Sequence, residues 1–396
     1  MPVPLYLLAL AVFAMGTSEF MLAGLLPDIA ADLGVTAATA GVLTSAFAVG
    51  MVVGAPLVAA LARRWPSRST LLCFVLVFSA AHAVGAATSS FPVLCATRVV
   101  AALANAGFLA VALRTATTLV PAGRTGRALA VLLSGTTVAT IAGVPGGSVL
   151  GAVLGWRATF WAVAAICLPA GVGILTGIPA HRGRQSLAGG PPLRAELGQL
   201  TGPRLLLAML LGALVNAATF ASFTYLAPVV TGTAGLGELW ISVALVLFGA
   251  GSFVGVTVAG RLSDRHPGLI VAAGGPLLLV GWPGLAVLAD RPVALLTLVF
   301  VQGALSFALG STLITRVLYQ AAGAPTMAGS YATAALNVGA AAGPLVAGAT
   351  FGAAGERGPL WASGLLVAAA LLLALPAREV LATDRGSVAP GRGEGR

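Results

Sequence analysis

The chain contains no lysine, and its 21 arginines and 11 acids make up only 8% of its 396 residues. Soluble domains carry roughly a quarter charged residues. With 58% hydrophobic residues and a mean hydropathy of +1.01, there is too little polar surface to cover a core in water, so the solvent of this chain is lipid. The shortage of charge excludes a soluble enzyme and a disordered chain alike.

Cysteine and histidine are scarce as well. Cys73, Cys95 and Cys167 lie in apolar runs without CxxC spacing, so they read as small hydrophobes rather than as a disulfide framework or a soft metal site. His82 sits in an apolar stretch with no evident partner, and His181 and His266 sit in polar breaks. No HxxxH or HExxH pair exists, so neither a metal nor an organic cofactor is expected. A GxxxxGKS/T loop is missing too, which excludes an ATP-driven pump. No basic segment precedes the first apolar run, which continues from Leu5 to Leu26 without a small-residue cleavage site and reads as a retained span.

What the sequence has in abundance is apolar length. A helix needs about 20 apolar residues to cross the roughly 30 Å hydrocarbon layer. Cutting the chain at its charged or Pro/Gly-rich breaks leaves twelve such runs, near 4–27, 41–62, 70–88, 93–119, 128–153, 158–178, 205–231, 239–259, 268–288, 293–320, 326–352 and 358–377. The expected fold is an all-α membrane protein of twelve helices in two six-helix bundles, 1–178 and 204–378. Between them, 179–203 reads as a polar cytoplasmic linker, and 379–396, rich in Gly, Pro and charge, as a disordered tail.

The arginines set the orientation. With both termini in the cytoplasm, 17 of the 21 face that side and only Arg157, Arg291 and Arg357 face outward, as the positive-inside rule requires. The one left over, Arg98, falls inside the fourth span. Asp28 and Asp32, after Pro27, are read into the outer loop. The cytoplasmic face then carries +12 and the outer face −2, so the net charge of +10 and the isoelectric point near 11.1 record topology rather than affinity for nucleic acid. The expectation is a multi-pass, monomeric protein of the cell membrane whose partners are the lipid bilayer and a small molecule.

At an offset near 200 the chain repeats itself. Glu19 and Phe20 with Pro27 align with Thr219 and Phe220 with Pro228, Trp161 with Trp361, the Arg63 and Arg64 loop with Asp264 and Arg265, and Pro145 with Pro344. Two such halves imply a pseudo-two-fold axis along the membrane normal and a cavity between them, the arrangement of secondary transporters.

Three sets of residues are candidates for function. In the run from Gly260 to Arg265, Asp264 and the adjacent arginines suit a latch of ion pairs that break when helices move, with plain anchoring at the cytoplasmic face as the alternative. Gly143, Gly147, Gly151 and Gly155 around Pro145, and Gly339, Gly343 and Gly348 around Pro344, line helix faces where backbones approach closely and a proline bends the helix. They serve either as packing seams or as conformational switches; Gly249, Gly251 and Gly255 read as packing alone. Glu19 is the sole acid well inside a span. A charge at the bilayer centre costs about 2.5–3.5 kcal/mol even on the lenient insertion scale, so this carboxyl is expected to be paired, or protonated for part of a cycle, the alternative being that it lies near the outer interface and snorkels. Phe20, Asn105, Phe108, Asn216, Phe220, Tyr225, Gln302, Tyr331 and Asn337 are candidates for lining a mostly apolar binding cavity, with helix packing the alternative for each.

The run from Gly260 to Arg265 resembles the G-x-L-x-D-R signature of the major facilitator superfamily, and Gly339, Gly343, Pro344 and Gly348 resemble the antiporter motif of its drug exporters. The first copy of the signature departs, with Arg63 where the acid belongs and Pro66 where a glycine does. The segments from Gly16 to Met21, Leu26 to Val35 and Gly155 to Trp161, together with Arg98, look like the twelve-span drug:proton antiporter branch. Those from Ala104 to Val111, Ser222 to Pro228 and Ala334 to Gly339 are similar to the actinobacterial chloramphenicol resistance exporters. The resemblance implies export of chloramphenicol or a similar amphipathic drug by alternating access, driven by the proton motive force without a cofactor. It also implies that the first and fourth spans border one cavity, where Glu19 and Arg98 form a proton-coupling pair. Efflux of sugars, amino acids or other small metabolites would share every scaffold motif. A membrane-embedded enzyme is the remote rival: the segment from Gly16 to Phe20 lacks the closing glycine of G-x-S-x-G.

Overall fold

A computed structural model describes residues 2–61, 65–121, 124–178, 193–263, 267–324 and 327–374. The Arg63 and Arg64 loop, Asp264, Arg265 and the tail from 379 lie outside the described residues.

All regular structure among the described residues is helical. The first span is Val3–Phe20, resumed after Met21 as Leu22–Asp32; the second is Ala37–Leu61, the third Ser67–Ala87 and the fourth Phe91–Thr118. The fifth runs Thr125–Val138, a π-turn Ala139–Gly143, then Val144–Leu154; the sixth is Trp156–Gly177. A short helix, Leu193–Gly198, precedes the seventh span, Pro203–Thr224, which ends in the turns Leu226–Pro228 and Val229–Thr233. Leu239–Ser263, Pro267–Leu288, Pro292–Gln320, Ala328–Ala354 and Gly358–Ala374 complete the twelve.

Among the described residues, eleven stretches are long and apolar enough to cross a membrane, the last being 47 residues, 328–374. As one helix it would be about 70 Å long, more than twice the hydrocarbon thickness. The turn Gly355–Arg357 instead divides it into the eleventh and twelfth spans, which pack on each other. An even number of spans brings both ends of the described chain to one face, here the terminal face; the opposite one is the far face.

The internal repeat reaches the backbone angles. Among the described residues four glycines have positive φ, and they form two pairs: Gly34 and Gly235 close the first loop of each half, and Gly155 and Gly355 turn the chain between the last two spans of each half. That conformation costs an L-residue energy and glycine none. At Gly34 it completes a Schellman end, with Val35 N–H on Ala30 O at 3.0 Å and Gly34 N–H on Ala31 O at 3.4 Å. The first helix therefore ends later than expected: Asp28 and Asp32 lie on its last turns rather than in a loop. Pro27 forfeits only one backbone bond there, and Asp32 gains the Arg157 guanidinium and the Trp156 indole N–H as partners.

Spans one to six share one apolar interior, which holds Leu8, Met15, Leu71, Phe78, Phe108 and Phe160. Spans seven to ten and span twelve share another, with Leu245, Trp282, Leu295 and Val367, while span eleven packs in smaller clusters with spans two and seven. Two pseudo-equivalent seams join the halves, and they differ. Spans two and eleven run antiparallel in contact along their length: Ala38 lies against Gly348, Ser45 Oγ donates to Ala341 O at 2.7 Å, and Ser330 Oγ donates to Ala55 O at 3.3 Å. Span eight packs on span five closely at the π-turn and at Val144–Leu154, the far half only. Pro145 explains the π-turn, because it has no N–H to return to the carbonyl of Ile141. Its counterpart Pro344 lies within an unbroken helix.

Candidate functional site

The interruption of the first helix at Met21 organises the centre of the molecule. A broken helix leaves carbonyls of its last turn without intrahelical donors. Arg98 of span four uses one of them: Nη2 donates to Ser18 O at 2.8 Å while Nη1 donates to Ser18 Oγ at 2.7 Å. Its guanidinium lies over the Phe47 ring of span two, 4.4 Å from the centroid. Arg98 is 1% exposed and Ser18 fully buried.

Successive residues of a helix point about 100° apart, so the neighbours of Glu19 give its direction. Thr17 faces Gly143 of span five, Ser18 faces span four, and Phe20 stacks on Phe220 of span seven at 5.7 Å. Glu19 lies between Ser18 and Phe20, away from Thr17, and so faces the space between spans four and seven. It keeps part of its surface accessible and lies within reach of the Arg98 charge. Among the described residues it makes no ion pair; the predicted partner Arg98 is near, but its hydrogen bonds go to Ser18.

Phe20 opens a run of rings that crosses from one half to the other. Phe223 stands edge-on to Phe20 at 6.0 Å, Phe248 of span eight packs on Phe223 at 4.7 Å, and Phe307 of span ten stands edge-on to Phe248 at 6.1 Å. Asn105 lies two turns along span four from Arg98, on the same face.

The other candidate lining residues are engaged in packing or hydrogen bonds of their own. Phe108 is fully buried in the first interior. Asn216 Nδ2 donates to Leu336 O at 2.7 Å and ties span seven to eleven, while Asn337 Nδ2 bonds Thr333 O in its own helix at 3.0 Å. Gln302 is packed between spans nine and ten, with Nε2 on Leu278 O at 3.3 Å. The Tyr225 hydroxyl shares its one hydrogen between Ala38 O at 3.3 Å and Pro344 O at 3.2 Å, a bolt across spans two, seven and eleven on the far side. The Tyr331 hydroxyl donates to the carbonyl of Glu196 at 2.9 Å, and the buried Glu196 carboxylate accepts the Met327 N–H at 2.9 Å. The helix Leu193–Gly198 is thereby docked on the start of span eleven.

Among the proposed switch residues, Gly143 and Gly147 sit against Thr17 and Thr159, and Gly343 against the backbone of Ala217, whereas Gly260 has open space around it. The residues that sequence reasoning passed over are Ser18, Phe47, His82, Phe223, Phe248 and Phe307. Only Ser18, adjacent to Glu19, carried a signal that pointed to the centre.

The apolar run of the first helix ends before Pro27, and on the polar last turns beyond it, at the far face, burial and then the nearby Glu238 hold the Asp28 carboxyl above its ordinary range. Glu238 immediately precedes span eight, so the two acids repel each other across the halves. Protonation of Asp28 favours the closed far seam, and that preference is lost as pH rises through its raised pKa. Asp28→Asn is expected to keep the seam closed to higher pH. The check is the rate at which a maleimide labels a cysteine at Val35 in purified protein; a pH profile equal to that of the parent would refute the role.

Residues 8–334 match the protein family described as the Major Facilitator Superfamily. The chain is 79% identical over 384 residues to a chloramphenicol resistance protein of Streptomyces lividans, covering 97% of this chain and 98% of that one. It is 32% identical over 350 residues to the inner membrane transport protein YdhP of Escherichia coli K12, covering 88% and 89%. Its fold is similar to a bacterial homologue of the human lysosomal transporter Spinster in an inward-facing, unoccupied conformation, with a TM-score of 0.80, 18% identity and 98% of each chain covered. Family and fold are those of transporters, which sets aside the membrane-embedded enzyme. With a family match over most of its length and relatives aligned nearly end to end, the chain belongs to the major facilitator superfamily.

Proposed function

We propose that this protein exports chloramphenicol, or an amphipathic drug like it, from the cytoplasm in exchange for protons. The observation that carries the reading is Glu19, a half-buried residue that makes no ion pair among the described residues and faces the space between the halves beside Phe20. The Streptomyces relative supports the choice of drug. The excess of arginine at the terminal face supports a cytoplasmic location for both termini. The far face, bolted by Tyr225, is then the outside.

In this cycle the drug enters from the cytoplasmic side and lies against the phenylalanines. Protonation of Glu19 from outside releases it, and proton loss to the cytoplasm resets the carrier. The ring wall from Phe20 to Phe307 favours an aromatic or apolar solute over a sugar, which would need more donors and acceptors.

The test is uptake of radiolabelled chloramphenicol into inverted vesicles from a drug-sensitive host with and without the gene. Uptake should require an imposed proton gradient and collapse with an uncoupler. Indifference to the uncoupler, or preference for a sugar or amino acid in the same panel, would refute the reading.

A further inference from the structure

We propose that His82 is a positioning residue for proton coupling: through the Ser18 hydroxyl it holds Arg98 beside Glu19 without letting the two bond. The inference rests on the proposed coupling role of Glu19.

His82, on span three, is 2% exposed and lies among the Phe78 and Phe160 rings at 4.3 and 5.6 Å. Its Nδ1 is 2.8 Å from Phe78 O and its Nε2 is 2.7 Å from Ser18 Oγ. A carbonyl only accepts, so Nδ1 carries the hydrogen, and in a neutral imidazole Nε2 is then the acceptor. Ser18 must donate its one hydroxyl hydrogen to Nε2, which turns its lone pairs toward Arg98 Nη1 at 2.7 Å. Each bond in this series has one possible direction. A second cation on His82 would stand against Arg98 and would have no lone pair for Ser18.

Fixing the Ser18 rotor fixes the guanidinium. Arg98 Nε has no partner among the described residues, so the group keeps a spare donor within electrostatic reach of Glu19. Held on Ser18, Arg98 attracts the ionised carboxylate without a direct bond. Released, it would close on Glu19 and favour the charged form. Of the other ionisable groups on the packed helices, Cys95 lies one turn before Arg98 and acts on its charge; Tyr6, Asp28 and Asp32 lie toward the two ends of span one, Arg68 and Cys73 in the first turns of span three, Arg114 near the end of span four, Cys167 on span six, Arg127, Arg157 and Arg204 near the ends of spans five, six and seven, and Tyr225 in the far seam.

Two substitutions at His82 separate positioning from packing. In His82→Gln the amide oxygen reaches the place of Nε2 and still accepts from Ser18. In His82→Asn the amide N–H keeps the Phe78 carbonyl, but the link to Ser18 is lost. The outside pH that gives half-maximal chloramphenicol export should move about one unit to the acidic side in His82→Asn and return toward the parent value in His82→Gln. Ser18→Ala should shift it as His82→Asn does, and the double variant should shift it no further. Equal profiles for His82→Gln and His82→Asn, or an unshifted Ser18→Ala, would overturn the inference. Pumping that persists in Glu19→Gln would instead overturn the coupling reading beneath it.

Discussion

Glu19→Gln is expected to abolish uphill drug export while leaving the protein folded in the membrane. Glutamine matches the shape of a protonated glutamate, so the drug-releasing form is mimicked permanently and no proton can leave to reset the carrier. Burial of a neutral amide in place of a carboxyl removes a desolvation cost rather than adding one, so abundance should not fall. One proton crossing a potential of roughly 100 mV supplies about 2.3 kcal/mol, enough to hold roughly a 50-fold drug gradient. The variant should hold none, and chloramphenicol should only equilibrate across the vesicle membrane. The measurement is the steady-state ratio of drug inside to outside in energised inverted vesicles. A ratio equal to that of the parent, with the same pH dependence, would remove Glu19 from the mechanism.

The spans were legible because apolar runs of sufficient length can only be helices in lipid. The repeat was legible because chemically special residues recur at a fixed offset, and the positive-φ glycines carry it into the backbone. Which helix face lines the central space was not legible. A helix that meets lipid on one side and protein on the other is apolar all round, and no polar stripe marks its inner face. Phe108 and Phe220 look alike in sequence; one is fully buried in the first interior and the other stacks on Phe20 between the halves. The partners of Arg98 were hidden for a related reason. Charge pointed to Glu19, but the interrupted first helix offers Arg98 a carbonyl and a hydroxyl on one residue, and that geometry appears only when spans one, three and four are brought together.

The second large effect is expected at Gly249, where the two halves touch in the middle of the seam between spans five and eight. A Cβ there would stand 2.5 Å from the carbonyl oxygen of Thr140 and 3.0 Å from its carbon, both backbone atoms of the π-turn that cannot rotate away. Gly249→Val should therefore wedge this seam apart and disfavour the conformation in which the far face is closed. Two residues on, Gly251 packs against the backbone of Phe300 in span ten, inside the second half. The same substitution at Gly251 should break a helix pair that every conformation needs, and protein should be lost from the membrane. Gly249→Val should keep near-normal abundance, lose most export, and label faster from outside at a cysteine introduced at Ser148, where the far ends of spans one, five and eight meet. If Gly249→Val loses abundance as Gly251→Val does, the seam is structural in every state. If it exports at the parent rate, span eight does not bear on the π-turn during transport. The unequal seams give the expectation its direction: spans two and eleven stay zipped from end to end, so a wedge at Gly249 acts on the seam that is already half open toward the terminal face.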